Sequence, residues 1–254
     1  MKRAVLRDEP GYYDMFENQG ELNYARQYMA EIEQVLRSQG FHSPLKVLDA
    51  GCQAGRLAIP LSLAGHAVIG VDTSGVALRR AKRHARDSKC RLRLIRADLT
   101  RWPPKQPPGS FDVVVCTEVL YLRHNYRDIL KGLIRLLRPG GACFISHRST
   151  AYYLNEAFQK LDWEVVRLIL KAKEGLIWGS YYNWQNQQDL KTLYGELNVD
   201  VLGITPIKFL SRSVINPETL DNEGRDLFSQ AEAALNGKHQ WDSRYFLISG
   251  QKQI

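Results

Sequence analysis

Three aspartates, each closing or following a short β-rich run, are the residues of this sequence best placed to do chemistry. They are Asp49 in Val47-Leu-Asp-Ala-Gly-Cys-Gln-Ala-Gly-Arg56, Asp72 in Val68-Ile-Gly-Val-Asp-Thr-Ser74 and Asp98 in Ala97-Asp-Leu99. In the first segment a buried strand ends at Asp49, and small residues turn at once toward a helix beginning near Gly55. Gly51 and Gly55 let the backbone approach a bound molecule with no side chain in the way. Alone, such a turn fits several nucleotide-binding α/β folds, NAD-binding ones included. Asp72 follows the glycine turn by about 20 residues, where a carboxylate accepts hydrogen bonds from both hydroxyls of a ribose. Asp98 offers a carboxylate to the exocyclic amine of an adenine, and Leu99 an apolar cover for its ring. Taken singly, each acid has a plainer reading: a helix cap for Asp49, a solvated strand end for Asp72, an N-cap for Asp98.

Positioning these acids requires parallel strands. From Leu45 to Arg148 the chain alternates β-rich runs (46–50, 67–72, 91–96, 111–116 and 142–146) with helical stretches. That rhythm implies parallel strands joined by right-handed crossovers, hence a doubly wound α/β sheet. Ser74 and Asn125 are the expected N-caps of two of the helices, and Ile129, Leu130, Leu133, Ile134 and Leu137 follow the helical period in the second. Pro139-Gly140-Gly141 is expected to stop that helix and turn the chain into the fifth strand. Leu154, Ala157, Phe158, Leu161, Val165 and Leu168 fit one face of a long amphipathic helix. An aromatic stretch, 178–184, and a helix over 186–197 follow, then strands over 199–210 and 244–252 separated by a helix over 221–235. The reading is a single domain over 1–254, with a helical cap at 1–44, a cofactor-binding core at 45–148, a helical lid at 149–197 and C-terminal strands at 198–254. Tyr12 to Phe16 is expected to close over the site or to anchor the first helix.

Composition agrees with a globular enzyme: 254 residues, 44% hydrophobic and 24% charged, give ample material for a core. No apolar stretch reaches the ~18–20 residues that cross a bilayer. Residues 1–14 have no apolar secretory core, so the expected location is the cytoplasm. Cys52, Cys90, Cys116 and Cys143 show no metal-ligand spacing and read as small apolar filler. A net charge of +8 favours an anionic partner without naming one. Much of the excess lies between Arg79 and Arg96, on a helix and the following strand rather than at the expected acceptor mouth.

The series VLDAGCQAGR, VIGVDTS, ADL, FDVVVCTEVLYL and LLRPGGACFIS resembles the class I S-adenosylmethionine-dependent methyltransferases, in order and spacing, over about residues 45–148. Within that family it most resembles the small-molecule branch that includes ubiquinone-biosynthesis-type enzymes. The resemblance implies a seven-stranded Rossmann-like sheet, mostly parallel with a C-terminal antiparallel strand, and S-adenosylmethionine as cofactor with S-adenosylhomocysteine as product. It implies Asp49 and Gly51 near the methionine moiety, Cys52 and Gly55 in the same loop, and Asp72 on the ribose with Thr73 beside it. Asp98 and Leu99 frame the adenine, and Thr117 faces the transferable methyl. Where the family loop has a middle glycine this chain has Gln53, expected to sit at negative φ with its side chain toward solvent.

The acceptor is expected at the carboxyl end of the fourth and fifth strands. Tyr121 and His147 are the candidate catalytic groups there, His147 as a base whose ordinary pKa is near neutral. Glu118, Arg148, Tyr152, Tyr181 and Trp184 are the candidate acceptor contacts, Arg148 for an acidic acceptor and the aromatic residues for a flat one. Against these stand plainer roles: a hydrogen-bonded core histidine, an exposed arginine, aromatics that pack the lid onto the sheet. No metal is implied, because the segment after the fourth strand has no histidine before His124. The expected acceptor is a small molecule methylated on oxygen or nitrogen. The alternatives are an RNA methyltransferase, which the basic run favours but no RNA-binding module supports, and a cofactor-binding scaffold without activity.

Overall fold

The two strands that meet at the glycine turn carry apolar side chains on both faces, because helices cover both. The computed structural model describes residues 14–208, 217–235 and 243–254. In it, Val47, Leu48 and Ala50 of β1 (Lys46–Ala50) are buried, as are Val113 to Cys116 of β4 (Phe111–Cys116). A near-continuous apolar run is what a doubly covered parallel strand requires. With β2 (Ala67–Asp72), β3 (Arg93–Arg96) and β5 (Leu137–Arg148) they form a parallel array in the order β3-β2-β1-β4-β5. β6 (Glu174–Ile177) and β7 (Ser180–Asn183) make a separate hairpin. β8 (Val199–Lys208) and β9 (Ser243–Lys252) complete a seven-stranded sheet, β9 running antiparallel between β5 and β8. Strand order reverses between β1 and β4, which opens a crevice at their carboxyl ends and delivers Asp49 and Thr117 to it.

One face of the sheet is covered by α1 (Gln19–Ser38) and α2 (Ala58–Leu63), which pack Tyr28, Ile32, Leu57 and Leu61 with Val47, Val113 and Phe144. On α1, Glu21, Tyr24, Ala25, Tyr28, Ile32 and Leu36 make one buried stripe at helical spacing. The other face is covered by α4 (Tyr126–Leu136) and α7 (Gln187–Gly195), with Leu130, Leu133, Leu190 and Tyr194 against Val114, Cys143 and Ile145. α3 (Gly75–Asp87) flanks β2 and β3. Asp14 reaches it through a 2.7 Å bond to His84 Nε2, and the ring of Phe16 stacks on His84. Asp14 and Phe16 thus contact α3 rather than closing over the cleft, and Tyr12 and Tyr13 lie outside the described residues. A third cluster, with Phe158, Val166, Trp184 and Phe228, joins α5 (Thr150–Gln159), α6 (Trp163–Lys171), the hairpin and α8 (Asn222–Ala234).

Several sequence expectations change. The long amphipathic helix is two helices, broken at Leu161, whose φ is +52°, and restarted by Asp162, whose carboxylate accepts the Val165 N–H. Periodicity survives such a break because both pieces turn the same apolar face to one cluster. Ser74 caps α3 through the Ala77 N–H, but Asn125 makes no side-chain cap and instead donates to Thr100. Pro139-Gly140-Gly141 bulges inside β5 rather than preceding it: Leu137 already pairs with Phe111, and pairing resumes at Ala142 opposite Val113. Among the described residues no helix is long and apolar enough to cross a membrane.

Candidate functional site

The cleft at the strand-order reversal is floored by Asp49, at the tip of β1. Its carboxyl is buried, and Oδ2 has no hydrogen-bond partner among the described residues. Burial pushes the carboxyl up to about 7 against the opposing pull of Arg56 and of the Ala58 N–H. Gly51, Cys52 and Gln53 form one wall, and Leu57, Thr117, Val119 and Tyr121 the other; the empty space, open mouth included, is about 570 Å³. Gly51 has φ +87°, and a Cβ there would meet Val119 Cγ2 at 2.3 Å, so the turn demands glycine on both counts. At the rim, Asp72 Oδ2 accepts the Gln53 N–H at 3.0 Å and Oδ1 the Ser74 N–H at 2.8 Å.

A buried ionic cluster adjoins this cleft, with Arg56 and Glu118 on its lining. Arg56, the residue after the glycine turn, reaches Glu21 of α1 at 2.7 Å, Glu118 at 2.9 Å and Thr117 Oγ1 at 3.2 Å. Burial alone would push the Glu118 carboxyl up; the guanidiniums of Arg56, Arg244 and Arg148 overcome it and hold the group below the usual carboxylate range. Tyr28 donates to Glu118 at 3.4 Å, and Arg244 donates to Tyr24 at 3.0 Å. Arg148 leaves the end of β5 on the same side, with its guanidinium carbon 4.2 Å from the ring centre of Tyr121 and 4.1 Å from those of Tyr152 and Tyr245. The arrangement can hold a polar ligand in the cleft and a second molecule against the tyrosines.

Residues 47–141 match the family model described as a methyltransferase domain. That match runs from β1 into β5 and makes this stretch similar to methyltransferase domains. Among curated proteins, a ubiquinone biosynthesis O-methyltransferase of Albidiferax ferrireducens is 35% identical over 101 residues, 40% of this chain and 40% of that protein. The chain thus spans about two fifths of that relative's length. Two solved structures share the fold at 16% identity. A methyltransferase from Methanosarcina mazei has a TM-score of 0.62, with 87% of this chain and 97% of that one covered. The magnesium protoporphyrin IX methyltransferase of Synechocystis, solved with S-adenosylhomocysteine, has a TM-score of 0.61, with 94% and 88% covered.

The residues singled out from the sequence fall into two groups. Asp49, Gly51, Cys52, Asp72, Thr117, Glu118 and Tyr121 line one cleft, and Arg148 and Tyr152 stand behind Tyr121. Gly55 lies beneath the turn, where a Cβ would meet Ile59 at 2.7 Å. Thr73, Asp98 and Leu99 are not on the cleft wall. Thr73 uses its carbonyl to receive Arg96, Asp98 Oδ1 accepts the Thr100 N–H at 2.7 Å, and Leu99 is buried in the core. Tyr181 bonds Glu174 within the hairpin, and Trp184 is fully buried, donating to the Ala172 and Ile169 carbonyls. Neither reaches the cleft.

Two expectations are corrected. Gln53 has φ +47°, not negative, and its Oε1 is buried, with no hydrogen-bond partner among the described residues, rather than turned to water. The turn keeps the left-handed backbone that a glycine would supply, because Asp72 holds the Gln53 N–H. His147 faces away from the cleft: strand alternation sends it to the α7 side, where Nε2 lies 2.9 Å from the Tyr194 hydroxyl, and burial pushes its pKa down to about 3. Sequence reasoning missed Arg56, Glu21, Tyr28, Arg244 and Tyr245. The one available signal was Glu21, an acid on an otherwise apolar helical stripe.

Proposed function

We propose that this chain transfers a methyl group from S-adenosylmethionine to an oxygen or nitrogen of a small-molecule acceptor. The observation that carries the reading is the pair of acids at the glycine turn: Asp49 buried on the cleft floor with Oδ2 unpartnered, and Asp72 on its rim. Both fit the cofactor. Asp49 presents an acceptor to the ammonium of the methionine moiety. Asp72, whose two oxygens accept the Gln53 and Ser74 N–H groups, lines the same cleft as a carboxylate able to accept ribose hydroxyls. The sulfonium supplies a methyl already activated for displacement, so alignment of the acceptor does most of what the protein must do.

On this reading Gly51 keeps the turn open, Arg56 fixes the Thr117 hydroxyl beside the reacting end, and Tyr121 with Glu118 forms the acceptor wall. A small acceptor is supported by Tyr121 on the cleft lining and by Tyr152 and Tyr245 around Arg148 behind it. It is supported also by the placing of the basic run: Arg79, Lys82, Arg83 and Arg86 are exposed on α3, and Arg93 and Arg96 on β3, apart from the cleft wall. The names of the O-methyltransferase relative and of the porphyrin methyltransferase, each acting on a small molecule, point the same way.

Calorimetric titration with S-adenosylmethionine, S-adenosylhomocysteine and NAD tests the cofactor. Binding of both sulfur compounds and not NAD is expected; binding of NAD alone would sink the proposal. Release of S-adenosylhomocysteine is then followed with phenols, amines and RNA as acceptors. Turnover on RNA alone would replace the small-molecule reading.

A further inference from the structure

We infer that the acceptor carries a carboxylate and that Arg148 receives it; the inference rests on the methyltransferase reading just given and names its substrate class. Arg148 is only 4% exposed, yet its Nε and Nη1 are buried with no hydrogen-bond partner, and among the described residues no carboxylate makes an ion pair with it. A buried guanidinium ordinarily has its in-plane donors satisfied, since an unpaired buried charge is costly. Arg56, whose side chain is 10% exposed, shows the ordinary case, with its donors spread over Glu21, Glu118 and Thr117. The tyrosine rings at 4.1–4.2 Å attract the Arg148 cation through their π-faces but accept none of its in-plane N–H groups.

Glu118, the carboxylate whose charge is felt at Arg148, is already paired with Arg56. Tyr153 has its ring centre 5.9 Å from the same guanidinium carbon, and its buried hydroxyl has no partner among the described residues. An arginine with unspent donors beside a phenol with an unspent hydroxyl is a receptor for a planar monoanion, and a carboxylate matches the guanidinium fork. Tyr121 is shared between Arg148 and the cleft wall, so the anionic end of the acceptor lies one ring behind the place where the methyl is delivered. The tyrosines suit an aromatic body. Tyr152 is the half-buried ring of the set.

The test uses the full chain saturated with S-adenosylhomocysteine, titrated with benzoate, phenylacetate and indole-3-acetate and with the primary amide of each. At least one acid is expected to bind, at least about tenfold tighter than its amide, since charge-assisted bonds are lost on amidation. Arg148→Gln is expected to abolish that preference while the S-adenosylhomocysteine titration stays as in the wild type. Amides that bind as well as their acids, no acid binding, or an unchanged preference in Arg148→Gln would each overturn the inference. The acid and amide comparison needs only the wild type, so it decides even if the variant does not fold. Failure of S-adenosylhomocysteine to bind is a different result: it removes the cofactor reading first, and this inference with it.

Discussion

One carboxylate oxygen of Asp72 accepts the backbone N–H of Gln53 across 3.0 Å, which ties the tip of β2 to the middle of the glycine turn. The residue assigned to the ribose thus also fixes the loop that receives the rest of the cofactor. Asp72→Ala removes both contributions, and hydrogen bonds to a charged group are each worth roughly 1.5–3 kcal/mol. The affinity for S-adenosylhomocysteine is expected to fall by at least about tenfold. Calorimetry reads it directly, and an unchanged affinity would remove the ribose assignment.

The same bond explains how Gln53 stands in a left-handed turn. A non-glycine residue at positive φ costs roughly 1–2 kcal/mol, and here a buried, unpartnered amide oxygen adds to the cost. Gln53→Gly relieves both, offset in part by the greater freedom of glycine in the unfolded chain. The expected net is about 1 kcal/mol of added stability, or a Tm raised by about 2–4 °C, with cofactor affinity retained. A drop in Tm would show that the Gln53 side chain supports the loop.

Asp49 makes cofactor binding depend on pH. Its pKa of about 7 lies above the unfolded value, so its protonated form favours the folded, empty protein; that stabilisation is complete below the unfolded pKa and is lost as pH rises through about 7. A cationic ligand group favours the ionised form instead. Affinity for S-adenosylmethionine is therefore expected to rise with pH through about 7, with a proton released on binding. Titrations in two buffers of different protonation enthalpy measure that proton. Asp49→Asn should abolish the release; a release that survives the substitution assigns it elsewhere.

Arg56 holds two carboxylates that are otherwise stranded. Arg56→Ala leaves Glu21 and Glu118 buried without their partner, which typically costs 3–5 kcal/mol. Urea unfolding at neutral pH is expected to show a loss of about that size. A loss under about 1 kcal/mol, the scale of an exposed pair, would mean that water reaches the cluster.

The strands and the glycine turn were legible because β1 and β2 are apolar runs that stop at an aspartate. Their spacing alone carries the geometry of Asp49, Gly51 and Asp72. The ionic cluster was not legible in the same way. Glu21 and Glu118 stand far from Arg56 along the chain, and only the packing of α1 over the glycine turn brings them together. The faces of β5 were illegible for a different reason. Phe144, Ile145, Ser146, His147 and Arg148 are all buried, so no alternation of polar and apolar side chains marks which of them look toward the site. His147 and Arg148 are neighbours in sequence and lie on opposite faces.

That opposition decides what His147 does. Its Nε2 bonds Tyr194 of α7, on the face away from the cleft, and a pKa near 3 leaves it a neutral core residue at physiological pH. A base so weak and so placed takes no proton from an acceptor. His147→Ala should therefore cost stability, about 2–4 kcal/mol from the cavity and the stranded Tyr194 hydroxyl, while turnover per folded molecule stays unchanged. The pH dependence gives a second check. Because the folded pKa is depressed, the unfolded chain binds the extra proton, so this contribution is present above about 6.5 and is lost as pH falls toward 3. The wild type should lose stability over that range more steeply than the variant in parallel urea titrations. Turnover slowed in the variant with stability intact would put His147 back in the reaction.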